Sequence, residues 1–201
     1  MLKKTKPVRS FSGIKFITNA TNKKHLAEDF SHKCAYCDDL DAYSCSYRSF
    51  QVEHFAPFSK FPHLEFNYSN LLYACPWCNR AKWDLWPSED SNVNVVENQG
   101  FIDPCDAEYY EHLERTLDGK LIWKTELGKY MHNALKLFLK RHEVIFNVER
   151  LEEARNRLQC SIEKENALGY DVQKKEKLLA ALDNEFFLYF KQLREINSQG
   201  T

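Results

Sequence analysis

Two C-x-x-C pairs, Cys34/Cys37 and Cys75/Cys78, carry the plainest chemical signal in the chain. Each pair presents two thiolates from one tight turn, and two such knuckles complete the tetrahedral four-sulfur set that zinc prefers. The competing use of C-x-x-C is redox chemistry. That use needs the pair at a helix N-terminus inside a βαβ pattern, and it leaves the second pair without a purpose. Seven cysteines is an odd number, so a complete set of internal disulfides is excluded. Cys45, Cys105 and Cys160 stand alone and read as small apolar or incidental thiols. A zinc ion held by four thiolates has no open coordination position, so the expected ion is structural. The spacer between the pairs is long, and the site must therefore clamp an inserted subdomain.

That insert contains VEHFAPFSKFP, with Glu53 and His54 at the end of a predicted strand. A carboxylate beside an imidazole is common, and a lone His is more often a packing or surface residue than a catalyst. Spacing adds weight here. Asn70 comes sixteen residues after His54, at the start of a second predicted strand, and Asn79 nine residues later in the first turn of a predicted helix. Arg80 and Lys82 follow directly.

Acid-His, then Asn, then Asn with Arg-x-Lys behind it resembles the HNH nuclease motif on its ββα-metal fold. It resembles the subset in which the last His is replaced by Asn, and the flanking C-x-x-C pairs are that family's usual zinc elaboration. The resemblance is close over residues 34–87 and looser through FIDPCD and the Asp118-Gly119 segment. The longer pattern is similar to the HNH nuclease subunit of Septu-type antiphage defence systems, which also accompanies some retrons.

The resemblance implies roles. His54 would be the general base that takes a proton from water, and Glu53 and Asn79 would offer oxygen to a divalent cation. Few ligands, all oxygen, suit Mg2+ or Mn2+ better than a catalytic zinc. Asn70 would orient the loop that carries the base. Arg80 and Lys82, beside Asn79 at the start of the helix, would meet phosphate. Two departures stand out: Glu53 where Asp is commoner, and Asn79 in place of His. The implied function is a divalent-metal-dependent endonuclease acting on DNA, as effector of an antiphage complex with an ABC-type ATPase. Cleavage of RNA, with tRNA the obvious target, would use the same residues. A zinc-stabilised module that binds or scaffolds nucleic acid without cutting is the reading from a different class.

Around this centre the chain reads as an α+β protein. It is a small zinc-stabilised ββα-metal (HNH) module with a β-hairpin and a C-terminal helical extension. Residues 1–33 form a basic lead with a short helix around residues 23–30, 34–104 the nuclease module, and 105–201 the hairpin and helices, expected to dock a partner. Strands are predicted near residues 51–55 and 70–74, and a helix from the second knuckle through Trp83, stopped by Pro87. Asp118-Gly119 marks a hairpin turn. Met131, Leu135, Phe138, His142 and Ile145 recur at helical spacing, and two more helices are expected over about 149–168 and 172–196. Gly169 and Asp171 punctuate these last two. Trp77, Trp83 and Trp86 are expected to pack the small zinc core, with base stacking the lesser use for Trp83 or Trp86.

Composition sets the bounds. The 201 residues are 43% apolar and 14% aromatic, values of a chain that buries a core. The net charge of −1 does not suggest a strong stand-alone nucleic-acid binder, so any basic channel must be local or completed by a partner. No apolar run approaches the roughly 18–20 residues needed to cross a bilayer, and the basic start carries no apolar signal core. A cytoplasmic protein with no membrane partner is the expectation.

Overall fold

The computed structural model describes residues 6–198. The first helix, α1 (Asn19–Asp29), starts where the Thr18 side chain accepts the Thr21 N–H, and it buries Asn22, Leu26 and Ala27. A single turn, α2 (Ser46–Ser49), leads into β1 (Gln51–His54). That strand pairs antiparallel with β2 (Leu71–Ala74), in a register that sets Glu53 opposite Leu72 and His54 opposite Leu71. Every residue of β2 is buried, as its unbroken apolar run LLYA requires.

Helix α3 (Pro76–Lys82) follows β2 at once. Pro76 sits at a helix start that tolerates its missing N–H, and the Cys75 sulfur accepts the Cys78 N–H as a cap. The helix does not run on to Pro87. Trp83 closes it, its N–H still bonded to the Asn79 carbonyl, at φ 49° and ψ −122°. The chain leaves α3 through that left-handed residue.

Next come the two-residue strands β3 (Val95–Val96) and β4 (Gln99–Gly100), then α4 (Tyr109–His112). Gly100 has a required role: at φ +134° a Cβ there would lie 2.1 Å from the Asn94 carbonyl oxygen. The predicted hairpin forms from β5 (Leu113–Arg115) and β6 (Leu121–Trp123), with Gly119 at φ 94° in its turn. Helix α5 (Glu126–Ala134) is capped by Thr125.

The apolar stripe from Met131 to Ile145 does not form one helix. After α5, Leu135 and Leu137 are buried, Lys136 takes φ 54°, and Phe138 is 59% exposed. The chain becomes helical again in α6 (Lys140–Ala167). The turn drives both leucines into the core, at the cost of exposing the phenylalanine.

The chain divides into two compact units, one running through His142 and the other from Glu143. The hairpin and α5 thus fall in the same unit as the ββα element, whereas the expected module ended at residue 104. The core of this first unit is aromatic-rich, with Tyr36, Phe50, Tyr68, Tyr73, Phe101 and Tyr109 all fully buried. The second unit holds most of α6 and all of α7 (Gln173–Ser198). Ion pairs Arg155–Asp183 and Lys175–Glu165 zip the two helices in antiparallel order. Gly169 at φ 77° and Asp171, whose carboxylate accepts the Gln173 N–H, make the connection. Among the described residues no helix is long and apolar enough to cross a membrane.

Candidate active site and zinc clamp

The loop before α2 and the start of α3 bring the two cysteine pairs together. The sulfurs of Cys34, Cys37, Cys75 and Cys78 all lie within 4.8 Å of one another, and all four residues are buried. Cys37 and Cys75 are 3.8 Å apart at sulfur, and none of the four is in a disulfide. A tetrahedral zinc with bonds of about 2.3 Å would set its sulfurs about 3.8 Å apart. The Cys75 N–H points at the Cys34 sulfur at 3.3 Å, a donor suited to a thiolate. The residues present fit a structural zinc.

The clamp is braced from outside. Arg115 donates to the Cys37 carbonyl, and the Arg141 guanidinium lies 3.1 Å from the centre of the Trp77 ring inside the second knuckle. His142 Nδ1 and the Asp39 carboxylate are 2.8 Å apart, and both lie close to Cys37. His142, one of the residues on the apolar stripe, is buried as the partner of Asp39.

Strand β1, α3 and the first turn of α1 line one pocket of about 720 Å³. Its walls include Gln51, Glu53, His54, Phe58, Asn79 and Trp83. Adjacent strand residues ordinarily point to opposite faces, yet Glu53 and His54 both reach this pocket, His54 being the last residue of β1.

His54 is held by one ring nitrogen. Nε2 is 2.9 Å from the Glu65 carbonyl oxygen, which can only accept, so Nε2 carries the proton and Nδ1 is left as the basic nitrogen. Burial lowers the imidazole below its ordinary value, against the pull of Glu65. The ring is therefore neutral, and able to take a proton, at neutral pH.

Asn70 braces the segment that follows His54. Its side chain accepts the Ala56 N–H at 2.8 Å and donates to the Ala56 carbonyl at 2.9 Å. Its own carbonyl accepts the Phe55 N–H. The two residues after His54 are thus pinned to the start of β2.

Glu53 is 4% exposed, and burial pushes its carboxyl above the ordinary value despite two donors. Lys82 Nζ is 2.9 Å from Oε1, and the Tyr36 hydroxyl donates to the same oxygen at 3.3 Å. Among the described residues Oε2 has no such partner. Asn79 donates through its amide nitrogen to the Gln51 side chain, which leaves its Oδ1. One carboxylate oxygen and one amide oxygen, with room for water, fit a hard divalent cation.

Lys82 departs from expectation. It is fully buried, donates to the His54 carbonyl at 3.1 Å, and lies over the Phe101 ring. Its ammonium serves Glu53 and is not presented to a phosphate. The face of α3 it shares with Asn79 turns toward β1, and a buried lysine needs the carboxylate found there. Arg80 is exposed and lies outside the pocket wall. Trp86 is buried beside Ala56 and Phe61, whereas Trp83 is 72% exposed and packs no core.

Residues 34–84 match the family model described as HNH endonuclease. Residues 34–84 form an HNH endonuclease domain. A stretch of 61 residues is also 41% identical to the Septu protein PtuB of Bacillus thuringiensis. That stretch is 30% of this chain and 23% of the relative, so the chain spans about a quarter of that protein. The matched residues 34–84 contain both cysteine pairs, the ββα element and every candidate site residue from Cys34 to Lys82.

Four residues that line or brace the pocket are not among the site residues expected from the sequence. Tyr36, inside the first knuckle, links the clamp to Glu53. Gln51, two positions before Glu53, holds Asn79, and strand alternation pointed to it. Phe58 sits 4.8 Å from the His54 ring, and Lys23 reaches the pocket from α1. Nothing local marks Phe58, whereas Lys23 belongs to the basic lead.

Proposed function

We propose that the protein is a divalent-metal-dependent endonuclease that hydrolyses phosphodiester bonds in nucleic acid, DNA first. The observation that carries this reading is His54, its Nε2 anchored on the Glu65 carbonyl, in one pocket with Glu53 and Asn79. His54 Nδ1 removes a proton from the attacking water as its oxygen bonds to phosphorus and the bridging oxygen leaves. Asn70 keeps the imidazole in place through the backbone of Ala56. Glu53 and Asn79 would hold Mg2+ or Mn2+, which when bound supplies charge neutralisation at the phosphate. Lys82 keeps Glu53 ionised inside the protein, and Gln51 keeps the Asn79 oxygen turned to the cation.

The likeness to a Septu protein supports a place in antiphage defence, with a partner ATPase of the ABC type. The purified protein, with zinc retained, is tested on plasmid DNA and on total RNA, with Mg2+ or Mn2+ supplied or withheld. Cleavage only with added cation is expected, and cleavage of RNA in place of DNA would correct the substrate. No cleavage of either, with the partner present, would favour a binding module.

A further inference from the structure

Two aromatic side chains stand open to solvent at the mouth of the catalytic pocket. Trp83 is 72% exposed and Phe58 50% exposed, and both line the same cavity as Glu53, His54 and Asn79. Single exposed apolar residues need no explanation, but two around the reacting centre do. Trp83 also occupies a costly backbone position. At φ 49° and ψ −122° an L-residue is strained and glycine is the ordinary occupant, so the indole is held there against local preference. The turn brings the indole out of α3 immediately after the helix that carries Asn79. Phe58 packs at a tilt against the His54 imidazole, with ring planes at 53°. On the α1 side of the pocket the Lys23 ammonium donates to the Arg48 carbonyl at 3.1 Å and lies 4.6 Å from the centre of the Tyr47 ring, a positive charge on the pocket wall.

In a duplex each base face is already covered by its neighbours, and only edges are offered in the grooves. An aromatic side chain can stack on a base only where the strand is single, looped or locally open. A pocket of about 720 Å³ also has the size of a site that takes a small organic molecule. Resting on the nuclease reading, we infer that the pocket binds an unpaired nucleobase against Trp83 and Phe58 beside the scissile phosphate. The preferred substrate is then single-stranded or locally unpaired nucleic acid, with Lys23 on its backbone. The shared chemistry is the base face, which DNA and RNA both offer.

The test separates binding from cutting. His54→Ala protein is titrated with 20-nucleotide single-stranded DNA, single-stranded RNA of the same sequence, and duplex DNA, followed by fluorescence anisotropy. Trp83→Gly and Trp83→Phe are then added on that background. Glycine suits the left-handed backbone, so Trp83→Gly removes the indole without unfolding the turn; melting temperature and zinc content check this. Single strands are expected to bind more tightly than duplex. Trp83→Gly should weaken single-strand binding by roughly 5- to 150-fold, the range for losing one stacked base, and leave duplex binding unchanged. Trp83→Phe should keep most of the affinity. The DNA and RNA arms show which strand is preferred. Tighter binding of duplex, or equal losses on single strand and duplex, or no loss with Trp83→Gly, would overturn the inference. Absence of cleavage by the wild-type protein would count against the nuclease reading and would leave these binding results to stand separately.

Discussion

A lysine ammonium is stable in a protein interior only beside a counter-charge, and Lys82 has Glu53 at 2.9 Å, both side chains being almost fully buried. Removing one partner of such a pair costs about 3–5 kcal/mol, because the other charge is left unpaired. Lys82→Ala is therefore expected to lower unfolding stability by that amount in denaturant melts. Arg80→Ala, at an exposed position, should change it by less than about 0.5 kcal/mol. Equal effects would contradict the role assigned to Lys82. The pH dependence of cleavage follows from His54. Burial holds its folded pKa below the ordinary 6.5, so the neutral, proton-accepting form persists into mild acid. Activity measured against pH should fall on an acidic limb whose midpoint lies below 6.5, and a midpoint above it would contradict the environment described. The candidate site residues were legible from the spacing of Glu53-His54, Asn70 and Asn79, not from residue type alone. The burial of Lys82 was not, since its partner lies on another element.

The cysteine knuckles and the element that carries the candidate site are joined by direct contacts. Cys75 caps α3, Asn79 lies four residues further along the same helix, and Tyr36 joins the other knuckle to Glu53. Cys75→Ser removes a thiolate and the cap together. It should reduce bound zinc, measured by atomic absorption, and destabilise β2 and α3, seen as faster amide exchange in residues 71–82. Asn79→Ala should keep zinc and fold. Retained zinc in Cys75→Ser would contradict the four-sulfur site. At this scale the strands, the hairpin and the start of α3 could be read from alternation, turn residues and the cap. The break between α5 and α6 could not, because apolar spacing continues through it. A left-handed Lys136 leaves no mark in the pattern, and Trp83 likewise ends α3 without a glycine or proline to announce it.

For the whole molecule, the hairpin and α5 fall in the compact unit that also holds the nuclease element. Long-range contacts through Arg115, Arg141 and His142 onto the first knuckle and its surroundings explain that, and no local pattern announces contacts across such separations. The second unit, a helix pair closed by charge pairs, leaves Phe187 and Leu188 of α7 exposed and carries none of the site residues. On the proposed mechanism the chemistry rests on the first unit, and within it on the His54 imidazole. Cleavage of plasmid DNA and total RNA by wild-type and His54→Ala proteins, with zinc content and melting temperature measured on the same samples, tests this most directly. The expected result is loss of cleavage by at least about 100-fold in His54→Ala, with zinc and stability retained. Equal cleavage by the two proteins would contradict the assignment of His54 and, with it, the mechanism.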